Sequence, residues 1–310
     1  MFGLRYHVAS LAAVFVALAV GILLGVAISG RVVDAGEGLE EELLRDENAR
    51  LQDDLDAARA AEQAAAQRGE ASEELLARAY PALMENRLEG QNVAVLFLGP
   101  ADGSLRAEVE GALADADGGA PAHVISLDVP VDGADLGSAL EGDDLLAAYA
   151  DGDTDFSDLG RELGRELVEE GDAAWSALSS RLVEERTGNI SDPVDSAVVV
   201  LTWMPPENAE GQDGQADGDV EATSTLMEGL VTGLDGAGIP VVGVSAGERA
   251  PAVVELYRDL GISSVDDLDT QAGRLALALL LAGAEPGHYG LGEDTDGVVP
   301  PIEPLPDEGE

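Results

Sequence analysis

The chain contains no cysteine, its aromatic residues make up only 4%, and no lysine occurs anywhere in it. Without cysteine there is no disulfide framework, no thiolate metal site and no cysteine nucleophile. Without lysine all side-chain positive charge rests on arginine: 16 basic residues face 62 acidic ones, for a formal net charge of -46. A chain this acidic does not attract nucleic acid or anionic lipid by general electrostatics. It suits a surface kept hydrated in concentrated salt, where screening removes most of the self-repulsion. With few aromatics, a core must be built from Ala, Val, Leu and Gly. No P-loop and no Rossmann glycine fingerprint is present, so a nucleotide cofactor has no support and none is expected.

Charge is wholly missing from residues 8–28, VASLAAVFVALAVGILLGVAI. At about 1.5 Å per helical residue this run can cross a hydrocarbon core of about 30 Å. The expectation is a single N-terminal transmembrane helix, with residues 1–30 forming a cytoplasmic stub and anchor. Arg5 precedes the run, and Asp34, Glu37, Glu40 and Glu41 follow it. The positive-inside rule therefore puts the N-terminus in the cytoplasm and the bulk outside. Ala27-Ile28-Ser29 leaves a cleaved signal peptide open, although the run exceeds the usual h-region of about 7–15 residues. Small residues recur every fourth position at Ala9, Ala13, Ala17, Gly21, Gly25 and Ser29. Such a stripe lets membrane helices approach closely, and Ala13, Ala17, Gly21 and Gly25 form a candidate dimer face.

Residues 36–89 read as a helical stalk. Leu44, Asn48, Leu51, Leu55, Ala58 and Ala65 fall on alternating spacings of four and three, with Glu62 as the exception. This is a short coiled-coil seam, with Asn48 and Leu55 at a positions and Leu44 and Leu51 at d, and an a-position Asn favours a two-stranded register. A homodimer is the expected partner state; a single amphipathic helix is the alternative. A second helical stretch is expected over residues 72–88, with Ser72 as N-cap and a kink or break at Pro81.

Beyond residue 90 short apolar runs alternate with helical segments. Strands are predicted at 93–98, 123–127, 197–202, 241–244 and 262–265. Helices are predicted at 105–114, 159–185 in one or two pieces, 224–234, 252–260 and 270–281. Strands apolar on both faces and separated by helices imply a mostly parallel, doubly wound, Rossmann-like α/β sheet over residues 91–285, outside the cytoplasm. In such sheets ligands sit at the carboxyl ends of the strands. Residues 207–219 read as an acidic disordered loop, and 286–310 as an acidic, Pro-rich tail that is poorly ordered from Asp294 onward.

Residues 3–25, GLRYHVASLAAVFVALAVGILLG, and residues 262–277, ISSVDDLDTQAGRLAL, followed by Gly287-His288-Tyr289-Gly290, resemble two blocks of the mycobacterial copper transport protein B family. The first is similar to that family's basic lead, S-L-x-A-V-F run and apolar stretch ending in Gly. The second is similar to its S-T-V-D-N-x-D-T-x-x-G-R-x-A-L block and later Gly-x-Tyr-Gly. The resemblance implies an actinobacterial cell-envelope protein that helps keep intracellular copper low, with copper as a transported ion and not as a cofactor. Asp266, Asp269, Thr270, Gly273 and Arg274 are the family-like polar residues.

The residues themselves show no copper chemistry. Soft copper sites want Cys or Met, with imidazole also suitable. The His residues are His7, His123 and His288, the Met residues Met1, Met84, Met204 and Met227, and no two stand at a helical or strand ligand spacing. The metal ligands are therefore unknown at this level. A non-enzymatic, dimeric, membrane-anchored scaffold that docks envelope or cell-division proteins is the other reading.

Three further patterns stand beside these. Gly243-Val244-Ser245-Ala246-Gly247 fits a nucleophile elbow, with Asp266, Asp267 or Asp269 and then His288 in hydrolase order. Pro251 and the lack of an oxyanion motif weigh against it, and no catalytic residue is assigned. Asp151, Asp153, Asp155 and Glu162 mimic a calcium loop but carry Phe156 where Gly is needed. The 266–274 cluster reads either as helix capping by Asp269 or Thr270, with Arg274 paired to Asp267 or Asp269, or as a docking edge. Trp203 and Met204 before Pro205-Pro206 are a candidate apolar contact patch.

Overall fold

The computed structural model describes residues 3–150, 155–169, 171–189, 192–205, 214–245, 250–292 and 295–302. In the first helix the side chains described before residue 44 are those of 17, 18, 21 and 22. The described chain falls into two compact units, Met1–Glu73 and Glu74–Glu310.

Helix α1 spans Gly3–Met84 without interruption. The anchor and two stalk helices expected as separate pieces are therefore one element. Ser72 is not an N-cap: it lies inside the helix and donates its hydroxyl to Arg68 O at 2.9 Å. Pro81 sits in the final turn, where the helix is about to end anyway. The transmembrane expectation is corrected as well. Among the described residues no helix is long and apolar enough to cross a membrane. The described side chains of α1 from residue 44 onward are largely Glu, Asp, Arg and Ala, and nearly all are exposed before Leu76.

The second unit is an α/β domain. Its elements are β1 Val93–Leu98, α2 Gly103–Asp115, β2 His123–Leu127, α3 Gly133–Glu141, α4 Ser157–Val168, α5 Ala173–Leu182, β3 Val183–Thr187, β4 Ser196–Leu201, α6 Gly214–Gly236, β5 Val241–Val244, α7 Ala250–Asp259, β6 Ser263–Val265, α8 Gln271–Leu281 and β7 His288–Tyr289. The described strands form one seven-stranded sheet in the order β3-β2-β1-β4-β5-β6-β7. All neighbours are parallel except β2 and β3. The sheet is thus mixed. Val183–Thr187, whose first three residues were expected to be helical, forms its antiparallel edge, and this acidic, largely exposed strand carries no apolar alternation that could have announced it.

Both faces are covered, because both sets of alternate side chains are apolar. Along β1, Ala94, Leu96 and Leu98 join the core under α3 to α6, whereas Val93, Val95 and Phe97 join the core with α2, α8 and the end of α1. Tyr80, Met84 and Leu88 belong to that second core, so the last turn of α1 packs on the domain. Each fully buried Leu or Val contributes about 1.5–3 kcal/mol relative to exposure.

On the first face α4 and α6 touch backbone to backbone. A Cβ on Gly160 would overlap Leu226 O, and one on Gly233 would overlap Arg161 O. Gly164 and Gly229 are equally tight. Helix α6 begins at Gly214, inside the stretch expected as a loop; residues 207–213 of that stretch lie outside the described residues. Part of the tail is also structured. Gly290 N donates to Gly297 O at 2.9 Å, and Asp296 N to His288 O at 2.7 Å.

Candidate functional site at the carboxyl edge of the sheet

Strand β1 lies between β2 and β4, so the chain leaves it towards one side of the sheet and later returns on the other. The crevice at such a switch point is where open α/β sheets bind ligands. Here the loops after β1 and β4 meet closely. Gly99 has a φ of 127°, and a Cβ there would lie 2.6 Å from Thr202 Oγ1 and 2.8 Å from Trp203 N. Only glycine fits this approach. The carbonyl of Gly99 accepts the Ser126 hydroxyl at 3.0 Å, which holds the β2 end in the same arrangement.

Beside this junction is a cavity of about 260 Å³. Leu98, Leu201 and Met227 give it apolar walls, Trp203 lines it as a half-buried aromatic, and the exposed carboxylates Glu228 and Asp259 complete it. Sequence reading singled out Trp203 but not Glu228 or Asp259. Those two lie on different helices, α6 and α7, and only the sheet brings them to one opening.

The family-like block forms a second polar centre on the same edge. Asp266, directly after β6, is nearly buried. Its carboxylate accepts the backbone N–H of Leu291 at 2.9 Å and of Gly292 at 3.0 Å, while its own N–H donates to Tyr289 O at 3.0 Å. Burial raises its pKa above the ordinary value, the neighbouring Asp267 adds to that, and the two backbone donors oppose it. Asp267 has a φ of 49° and turns the chain so that its carbonyl accepts both Thr270 N and Thr270 Oγ1, at 2.9 and 2.8 Å.

Thr270 is the N-cap of α8, accepting Gly273 N–H at 3.0 Å. A Cβ on Gly273 would overlap Asp267 O. Asp269 is exposed. Arg274 does not pair with Asp267 or Asp269. It reaches across to α2, bonding Glu108 and lying 3.8 Å from Asp115, whose carboxylate also accepts the Tyr80 hydroxyl at 2.8 Å. Burial, then the Asp115 hydrogen bond, push the Tyr80 phenol upward. The block thus ties α8 to α2 and to the end of α1.

The elbow pattern is not assembled as a catalytic triad. Ser245 Oγ is buried without a hydrogen-bond partner. His288 Nδ1 instead meets Ser264 Oγ at 2.9 Å, and Asp266 is committed to Leu291 and Gly292. Burial, then Arg258, lower the His288 pKa, against the pull of Asp296. Ala246 and Gly247 lie outside the described residues. In the calcium-like pattern, Asp151 and Asp153 also lie outside them, Asp155 accepts Ser157 N–H at 3.0 Å, and Glu162 pairs with Arg165. Backbone hydrogen bonding to Ser157 lowers the Asp155 pKa.

Among the described residues no three His, Asp or Glu side chains converge to hold a metal ion. His123 is buried, with Nε2 2.7 Å from Asp192 O, and Met84 is fully buried. His7 and Met1 lie outside the described side chains. Of the first helix's small-residue face, Ala17 and Gly21 are exposed; Ala13 and Gly25 are not described as side chains. Leu44, Leu51 and Leu55 are 54%, 60% and 48% exposed, and Asn48 Nδ2 donates to Leu44 O at 2.9 Å.

Comparison with known proteins supplies what the geometry lacks. A family model described as copper transport outer membrane protein, MctB, matches residues 1–300. The proteins named copper transporter MctB from Mycobacterium bovis (strain ATCC BAA-935 / AF2122/97) and Mycobacterium tuberculosis (strain ATCC 25618 / H37Rv) are each 27% identical to this chain over 320 residues. Each alignment covers 94% of this chain and 97% of the relative. The chain therefore belongs to the MctB copper transport outer membrane protein family.

Proposed function

We propose that this protein is a copper transporter-like component of the cell envelope that works without catalysing a reaction. The observation that carries this reading is the family match along residues 1–300, which includes both the first helix and the sheet domain. Copper enters as cargo. Within the family reading, the sheet domain is the structured platform and its carboxyl edge the surface on which cargo or a partner would be met.

The test is intracellular copper by elemental mass spectrometry, in cells lacking the protein and grown with added copper. Excess copper that falls again when the gene is restored supports the reading. Copper equal to that of the parent strain discards it.

A second reading rests on a different observation. Leu44, Leu51 and Leu55 lie exposed along one seam of α1 with Asn48 between them. A parallel homodimer through this seam, serving as an envelope scaffold for other envelope or cell-division proteins, would bury them. Sedimentation equilibrium on the full chain would find a dimer, and Leu51→Asp would return it to monomer. A monomeric wild type at all accessible concentrations removes this reading.

A further inference from the structure

We propose that the cavity beside the β1–β4 junction binds a small organic ammonium ion with an apolar body. Three features of the cavity point to this class of ligand, independently of copper.

The first is location. The cavity lies at the carboxyl ends of β1 and β4, between Leu98 and Leu201, where the sheet order reverses. The second is lining. Apart from Ser224, whose hydroxyl donates to Val220 O within α6, its neutral walls are aliphatic or thioether, as at Met227, and Trp203 lines it with the aromatic ring that attracts cations best. The third is charge. Glu228 from α6 and Asp259 from α7 both line it, and among the described residues no arginine or histidine does. A neutral apolar guest would leave the carboxylates unused. An anion would be repelled by them and by a net charge of -46. A hydrated inorganic cation would gain nothing from the apolar walls. A cation carrying its own apolar surface satisfies walls, ring and carboxylates together. The volume, about 260 Å³, falls below the usual drug-sized pocket of roughly 300–1,000 Å³, so the guest is small.

The experiment titrates the full chain with cyclohexylammonium and, separately, with cyclohexanol, following tryptophan fluorescence. Trp175 is fully buried and gives a constant background, so a change reports Trp203. The buffer carries about 1 M NaCl, where the Debye length is only ~3 Å and diffuse attraction to the acidic surface is removed. The expected result is a saturable change with the ammonium ion that is absent in Trp203→Phe. The double variant Glu228→Gln, Asp259→Asn, both surface positions, should bind it roughly tenfold more weakly or worse. Glu221→Gln, on α6 but outside the cavity lining, should bind as wild type. Equal affinity for cyclohexanol, an undiminished response in the double variant, or no saturable response at all in this excess of sodium overturns the proposal.

Discussion

Asp266 occupies the space into which a side chain on Gly290 would project. A Cβ at Gly290 would overlap Asp266 Oδ1, and the glycine's φ of 150° is itself one that other residues rarely adopt. The two parts of the C-terminal family-like block, 262–277 and 287–290, therefore meet at this pair, where packing and capping set their residues. Gly290→Ala should destabilise the protein by about 1–3 kcal/mol or more through strain and overpacking. Urea denaturation would show the loss, and an unchanged midpoint would remove this account of the pair.

The raised pKa of Asp266 gives a pH dependence of definite sign. The folded state holds its proton more tightly than the unfolded chain, whose value is near 3.8. The resulting stability is complete below that value and is lost as pH rises through the higher folded value. Asp266→Asn removes this proton linkage. The melting temperature of wild type minus that of Asp266→Asn should fall as pH is raised from about 3.5 to about 7. A difference that stays flat or rises contradicts the assignment.

The α4–α6 contact makes opposite predictions for glycines that look alike in sequence. Gly160→Ala pushes a methyl into Leu226 O and should cost about 1–3 kcal/mol or more. Gly137→Ala, in α3, meets nothing within 4 Å and should stabilise by about 0.5–1 kcal/mol. Thermal melts of the two variants, read side by side, decide whether backbone contact sets the difference.

Tyr257 spans two strands with one hydroxyl. It lies 3.0 Å from both Val199 O and Val244 O and accepts Leu201 N–H at 2.9 Å, while its ring covers Gly243. Tyr257→Phe keeps the ring and deletes the bridge, at a cost of about 1–3 kcal/mol for the buried groups left short of a partner. Hydrogen exchange should speed up at Leu201 N–H first. Uniform exchange across the sheet would argue against a local role.

The charge balance predicts a stability that grows with salt. Among the described residues, exposed Arg–carboxylate pairs such as Arg78–Glu74 and Arg161–Asp158 contribute about 0–1 kcal/mol each. Self-repulsion of 62 acidic residues outweighs the pairs that 16 basic ones can make. The melting temperature should climb between about 0.1 and 1 M NaCl, as the Debye length shrinks from ~10 to ~3 Å. A fall over that range would show that pairing dominates.

The sequence by itself determined the alternation of sheet and helix after residue 90. Runs such as Val93–Leu98 and Ala197–Leu201 are apolar at every position, and only a strand covered on both sides can bury both sets of side chains. The capping of α8 by Thr270 was also legible, because a hydroxyl before an apolar helical run satisfies free N–H groups locally. The tertiary structure decided the contacts between residues far apart in the chain. Within the sheet domain the glycines that bring helices together are Gly160, Gly164, Gly229 and Gly233, and sequence spacing singled out none of these four. It set Arg274 beside its neighbours Asp267 and Asp269, whereas the ion pair runs to Glu108, 166 positions away. Glu228 and Asp259 gave no local signal at all, because a shared cavity is a property of how α6 and α7 lie on the sheet. Periodicity and capping act within a few residues and can be read along the chain; backbone contact, charge pairing across helices and cavity lining depend on packing, which fixes them only when the fold closes.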